Sequence, residues 1–234
     1  MALFYLQTLL LNSDFTRTTT PTASPLIIFG TAGCGKTSII RALASQFPEL
    51  HFSSFHPIVL LPNIRKKQHL ANPNEATDVL DEFLAGPNPE VRIAKFCDPL
   101  QYNCETLPEP HFISETTYRF CPRTCELLND IFKTTLKSKV LEICKVACVD
   151  PYAVDPVGKV IAIEQELFPI LSAHGLTVHS PDFLTGQTIP EVSVYTLNLK
   201  RAVAEHPHLL FIALTRHSKT LHLFDLNAGP DTTA

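Results

Sequence analysis

The sequence predicts an α/β protein of two successive lobes, each built on a parallel sheet. Three observations lead there. An apolar run, Ile27-Ile28-Phe29, enters the glycine-rich stretch Gly30-Thr31-Ala32-Gly33-Cys34-Gly35-Lys36-Thr37-Ser38, and an amphipathic stretch follows to Gln46. That order is strand, loop, helix. Strand-like and helix-like runs then keep alternating along the chain, as crossover-connected parallel strands require. Finally, the proline-rich link Leu107-Pro108-Glu109-Pro110 interrupts the alternation, which restarts beyond it.

Composition narrows the class. The 234 residues are 45% hydrophobic and 18% charged, enough for a buried core and unlike a disordered chain. A net charge of −4 argues against a nonspecific coat on nucleic acid, while leaving room for a channel with local basic residues. The seven cysteines are odd in number and no secretory signal accompanies them, so reduced thiols in a cytosolic compartment are expected. Cys121/Cys125 and Cys144/Cys148 repeat a spacing that four thiolates could use for zinc. The same spacing marks the buried face of a helix, and core packing is the expected role. The apolar N-terminus, Met1 to Leu11, is too short to cross a bilayer, so a soluble protein without signal peptide or membrane span is expected.

In chain order, residues 1–12 read as a helix with Leu3, Leu6 and Leu10 on one stripe, packed on the first lobe or used for self-association. Ser13 to Pro25 is a loop. The glycine-rich unit follows, its helix ending near Phe47-Pro48, and His51 to Phe55 reads as the next strand, with Ile58 to Leu61 extending it. Arg65-Lys66-Lys67 is the densest basic cluster, either a solvated face or a phosphate-backbone contact. Strands are expected at 75–83, 91–97 and 111–114, and a helix from Pro122 to about Leu136, with proline at its first position. Residues 140–149 carry no clear period. Beyond them come a strand at 157–163, a helix at 164–174 closed by Gly175, and strands at 176–179 and 192–195. A helix near 198–206 and strands at 209–214 and 220–224 complete the chain. The expected division is 1–24 as N-terminal helix and linker, 25–110 as lobe one and 111–234 as lobe two.

The chemistry gathers at loop and strand ends. Gly30, Gly33 and Gly35 let backbone N–H groups converge on phosphate oxygens at a helix N-terminus, with Cys34 and Ser38 in the same cradle. Lys36 would reach the β/γ-phosphates and the Thr37 hydroxyl would ligate Mg²⁺, so a nucleoside triphosphate is the expected ligand. Asp81-Glu82 closes a strand. In the parallel strand beside the loop's own, Asp81 can hold the metal and Glu82 can polarise an attacking water. Asp98-Pro99-Leu100-Gln101 closes another, where Gln101 can sense the γ-phosphate or the water, unless the segment is only a turn. Arg119 and Arg216 lie in the second lobe, from which an arginine can stabilise charge developing in phosphoryl transfer.

Gly-Thr-Ala-Gly-Cys-Gly-Lys-Thr, Leu-Asp-Glu, Asp-Pro-Leu-Gln, Tyr-Arg, Thr-Gly-Gln-Thr and Ala-Leu-Thr-Arg-His occur in the order of the motifs of superfamily 1 RNA helicases of positive-strand RNA viruses. At this length the chain resembles their stand-alone form, the first protein of the triple gene block of potexviruses, carlaviruses and allexiviruses. Pro110 to Phe120 and Gly158 to Glu166 resemble that group more closely than helicases in general. The resemblance spans about residues 25–225 and implies two RecA-like P-loop NTPase lobes, a minimal helicase core. It implies an ATP- and Mg²⁺-dependent RNA helicase, with Glu82, Gln101, Arg119 and Arg216 catalytic and Thr37 and Asp81 on the metal. RNA would meet Arg65, Lys66, Lys67, Thr185 and Gly186.

The resemblance further implies cell-to-cell movement of a plant virus genome through plasmodesmata and suppression of host RNA silencing, in the host cytoplasm, plasmodesmata or cytoplasmic inclusions. Implied partners are viral RNA, coat protein, the two small membrane proteins of the gene block, host silencing proteins and a second copy of the chain. The alternative is a nucleotide-switched module that binds RNA or host protein with little or no unwinding. A nucleotide kinase or small GTPase explains the loop alone and leaves the second lobe unused.

Overall fold

The computed structural model describes residues 1–55, 68–70, 72, 75–87 and 89–227, with 68–70 described by backbone alone. The chain forms two compact units, Met1–Tyr118 and Arg119–Ala234.

Unit one is a seven-stranded sheet. Its strands are β1 (Thr16–Arg17), β2 (Leu26–Gly30), β3 (Phe52–Ser54), β4 (Gln68–Leu70), β5 (Thr77–Asp81), β6 (Val91–Cys97) and β7 (Phe112–Ser114). They lie in the order β1-β7-β2-β6-β5-β3-β4. β1 runs antiparallel to β7 and every other pairing is parallel. Helices α1 (Ala2–Leu11) and α2 (Lys36–Gln46) cover one face, where Leu6, Leu10, Ile40 and Leu43 pack with Ile28, Phe96 and Phe112. Phe29, Leu80, Phe83 and Cys97 make the core of the other face. Burial on both faces is why β2 reads as an apolar run without alternation. The N-terminal helix is thus part of the first unit's core: α1 buries Leu6 and Leu10 and leaves Phe4 and Leu11 exposed.

Two expectations are corrected in this unit. Residues 111–114, assigned to the second lobe, form β7 and pair with β2 through Ile28 and Phe112. The prolines at 108 and 110 therefore lie in a loop inside unit one, and the units divide between Tyr118 and Arg119. The strand ending in Asp81 does not adjoin β2, because β6 lies between them. The proposed extension at 58–61 lies outside the described residues. A short β8 (Thr116–Thr117) ends the unit, with Thr117 Oγ1 donating to Ala32 O at 2.7 Å and Tyr118 N–H to Gly33 O at 2.9 Å.

Unit two begins with α3 (Pro122–Phe132) and β9 (Lys137–Ser138). Its parallel sheet comprises β10 (Lys145–Val149), β11 (Lys159–Ala162), β12 (Val178–His179), β13 (Ile189–Thr196) and β14 (His217–Asp225), in the order β10-β14-β13-β11-β12. Helices α4 (Leu167–Ala173), α5 (Leu199–Glu205) and α6 (Pro207–Leu214) connect them. α3 stops short of Leu136 because Lys133 turns left-handed, and the Asn129 side chain holds the backbone of Leu136, donating from Nδ2 to its carbonyl and accepting its N–H at Oδ1. The segment 209–214, expected as a strand, is α6. An unbroken apolar run hides its period, and Pro207 at the first helical position was the available signal.

The cysteines also differ from expectation. Cys121 and Cys144 are joined in a disulfide across a Cα–Cα distance of 6.0 Å, so not all seven thiols are free. Cys125 is buried within α3, whereas Cys144 lies in the approach to β10 and Cys148, which is exposed, in the strand itself. Thr124 Oγ1 lies 2.9 Å from His217 Nε2, and His217 Nδ1 lies 3.0 Å from Leu214 O. Among the described residues no helix is long and apolar enough to cross a membrane.

His217 is fully buried, and desolvation lowers its pKa to about 4, against the opposing bond to Leu214 O. The unfolded imidazole titrates near its ordinary value of about 6.5. The unfolded chain therefore binds more protons between those values, and this contribution to stability, full above about pH 6.5, falls as the pH drops toward 4. The loss is up to about 3 kcal/mol. Replacing His217 with Gln should flatten the melting temperature of the chain between pH 7 and 5 relative to wild type, which calorimetry at each pH will measure.

Candidate functional site

The first unit concentrates its polar burial at the C-terminal ends of β2, β5 and β6. β2 ends at Gly30, and Thr31 N–H is held by Ser114 O at the end of β7. A Cβ at Gly30 would collide with Cys34 Sγ and crowd the Phe15 ring, so a side chain there would force those groups to shift. Gly33 and Gly35 take φ values of 79° and 96°, left-handed conformations in which side chains are strained, and α2 starts immediately afterwards at Lys36. The result is a curl of backbone amides at a helix N-terminus, the arrangement that receives phosphate. Thr31 Oγ1 is buried there without a hydrogen-bond partner among the described residues. Ser38 is exposed and Thr37 half-buried at the start of the helix.

Lys36 is buried, and its Nζ donates to Gly30 O at 2.7 Å. Burial works to discharge it, yet Cys34, Glu82, Asp98 and Asp81 together raise its pKa above the ordinary lysine range. The ammonium stays charged because acids surround it. Asp81 ends β5 with only 4% of its surface exposed, and its Oδ1 accepts Glu82 N–H at 3.1 Å. Desolvation, and then the charge of Glu82, push its carboxyl above the usual range, with Lys36 opposing. Asp98 is fully buried beyond β6; desolvation raises it, while Lys36 and the amide of Gln101, donating at 2.7 Å, pull the other way.

Glu82 takes φ 54° and ψ 44°, a left-handed conformation strained for a residue with a side chain. That twist turns its carboxylate off the strand line, where Oε2 accepts Tyr102 Oη at 3.0 Å. Lys36 by itself does not balance the carboxyl groups of Asp81, Glu82 and Asp98. Buried carboxylate and hydroxyl oxygens with excess negative charge are donors suited to a hard divalent cation. Thr37 and Asp81 fit that role.

The sequence-predicted residues thus separate into three groups. Gly30, Gly33, Cys34, Gly35, Lys36, Thr37 and Ser38 form the loop, and Asp81, Glu82 and Gln101 stand at neighbouring strand ends of the same unit. Arg119, Thr185, Gly186 and Arg216 belong to unit two. There Arg119 is half-buried, and Thr185 and Gly186 sit on an accessible turn before β13. Arg216 is fully buried, donating to Ile212 O at 3.0 Å, Leu184 O at 3.4 Å and Thr215 Oγ1 at 2.9 Å. Arg65, Lys66 and Lys67 lie outside the described residues. Sequence reasoning missed the roles of Asp98 and Tyr102. Asp98 caps the short turn before Gln101, and Asp-Pro at a strand end was a readable sign of it. Nothing in the sequence marked Tyr102.

A parallel sheet, a glycine cradle with a buried lysine, and acids on adjacent strand ends define a P-loop nucleotide-binding protein. The chain belongs to the viral superfamily 1 RNA helicases, whose core-domain model matches residues 26–225. Among its relatives, the movement and silencing protein TGBp1 of Narcissus mosaic virus is 47% identical over 229 residues, covering 98% of each chain. That of White clover mosaic virus (strain O) is 33% identical and covers 95% of each. Among solved structures, an arterivirus nonstructural protein 10 (helicase) in complex with DNA aligns with a TM-score of 0.49 at 18% identity. This chain is covered to 99% and spans 58% of that one.

Replacing Lys36 with Ala removes the buried ammonium beside the loop, and a charge-assisted contact from such a group to a phosphate is worth about 10–100-fold in affinity. Titration with a fluorescent nucleoside triphosphate should show that loss, with the isolated nucleoside binding no differently.

Proposed function

We propose that the chain is an ATP- and Mg²⁺-dependent, RNA-stimulated helicase that serves cell-to-cell movement of a plant virus genome through plasmodesmata and suppresses host RNA silencing. The observation that carries the enzymatic part is the convergence of Lys36, Asp81, Glu82 and the Asp98–Gln101 pair on the glycine loop. The biological part is supported by the 47% identity to a movement and silencing protein along nearly the whole chain.

In this reading the loop amides and Lys36 bind the β- and γ-phosphates, and Thr37 and Asp81 hold Mg²⁺. When bound, the ion neutralises phosphate charge that builds during transfer. Glu82 accepts the proton of the attacking water, and Gln101, anchored by Asp98, meets the γ-phosphate or that water. Arg119 and Arg216, both in unit two, are the residues assigned to charge stabilisation. For Arg216 this requires exchanging carbonyl partners for phosphate oxygens, so its engagement is tied to rearrangement around α6. Arg65, Lys66, Lys67, Thr185 and Gly186 are the residues assigned to RNA contact. Coat protein, the two small membrane proteins of the gene block, host silencing proteins and further copies of the chain are its partners, in the host cytoplasm, at plasmodesmata or in inclusions.

Steady-state hydrolysis with and without single-stranded RNA tests this reading. RNA should raise the wild-type rate, and Glu82→Gln should lower kcat about 10²–10⁴-fold while retaining ATP binding. Equal rates with and without RNA would sink the motor reading. A Glu82→Gln chain that still supports movement would leave only the nucleotide-switched module, so movement and silencing suppression are to be scored separately with that variant.

A further inference from the structure

We propose that Tyr102 is a positioning residue for Glu82, fixing the carboxylate that the hydrolysis reading assigns to the attacking water. The inference rests on that reading and extends it to a residue outside the recognised motifs.

Three observations support it. Tyr102 Oη donates to Glu82 Oε2 at 3.0 Å, joining residues that are 20 apart in sequence and brought together by the pairing of β5 with β6. The phenol ring is itself held, packing with the Phe29, Leu80, Phe83 and Cys97 cluster on the sheet face opposite α2. Tyr102 also follows the short helical turn Pro99–Gln101 directly, so the same chain turn presents Gln101 to Asp98 and the hydroxyl to Glu82. A glutamate side chain has three rotatable bonds, and a general base works only within hydrogen-bond reach of the proton it takes. The left-handed backbone at Glu82 aims the side chain, and the phenol fixes its far end by occupying one carboxylate oxygen. The other oxygen is left to accept from water. Because the phenol donates, it does not compete for the water's proton. Its contribution is orientation.

The test uses the full chain, with wild type, Tyr102→Phe, Glu82→Gln and the double variant compared in RNA-saturated steady-state and single-turnover ATP hydrolysis. Tyr102→Phe should lower kcat about tenfold, the lower end for loss of a supporting hydrogen bond at a catalytic centre. The KM for ATP, the Kd for a fluorescent ATP analogue and the melting temperature should stay near wild type, since Lys36 and the loop bind the phosphates. In the Glu82→Gln background, adding Tyr102→Phe should change the residual rate less than about twofold, because the group being oriented is gone. Wild-type kcat in Tyr102→Phe, or the same fold-loss in both backgrounds, overturns the proposal; the second result would mark the tyrosine as generally structural. Absence of hydrolysis by wild type would instead remove the hydrolysis reading and this proposal with it.

Discussion

The buried ammonium of Lys36 is the interaction on which the first unit's architecture depends. Its Nζ bonds to Gly30 O, which holds the loop closed, and its charge makes tolerable the burial of Asp81 and Asp98 at adjoining strand ends. An isolated carboxylate in such a place would be costly or would keep its proton. The acids in turn keep the lysine charged despite complete desolvation. Neither side of the cluster is stable alone, and the set remains short of positive charge. That imbalance is one a hard cation could offset.

The sheet converts this local balance into geometry. β2, β6 and β5 are parallel neighbours, so their C-terminal ends deliver the loop, Asp98–Gln101 and Asp81–Glu82 to one rim. Apolar packing of α1 and α2 on one face and the Phe29–Phe83 stack on the other fixes the strands that carry them. β8 adds a further restraint. Thr117 and Tyr118 bond to the carbonyls of Ala32 and Gly33, so two backbone oxygens of the loop are held by the end of the unit.

Much of this was legible in the sequence where a residue type answers a local geometric demand. Glycines at 30, 33 and 35 declared the loop because a side chain would crowd Cys34 and Phe15 at Gly30 and be strained by the positive φ at the other two. Pro122 and Gly175 marked a helix start and a helix end for similarly local reasons. Nonlocal facts were not legible. The order β2-β6-β5 and the membership of β7 in the first sheet depend on which strands pair at long range, and proline content at 108 and 110 cannot distinguish a loop from a boundary. α6 failed because its residues are buried all round, which erases the period that separates helix from strand. The Cys121–Cys144 pairing follows from tertiary proximity, not from the repeated spacing that drew attention to those positions. The burial of Arg216 was hidden for the same reason: a motif fixes the residue type and leaves its resting partners undetermined.

The left-handed backbone of Glu82 sets folding against the proposed turnover at one position. A residue with a Cβ there carries a conformational cost of about 1–3 kcal/mol that glycine would escape and asparagine would reduce. A chain drifting toward thermostability would therefore find an easy gain at this site, and each step of that gain would remove the carboxylate. The tension makes position 82 a point where durable but inert variants should accumulate whenever hydrolysis is no longer required, and where their absence would signal that it still is.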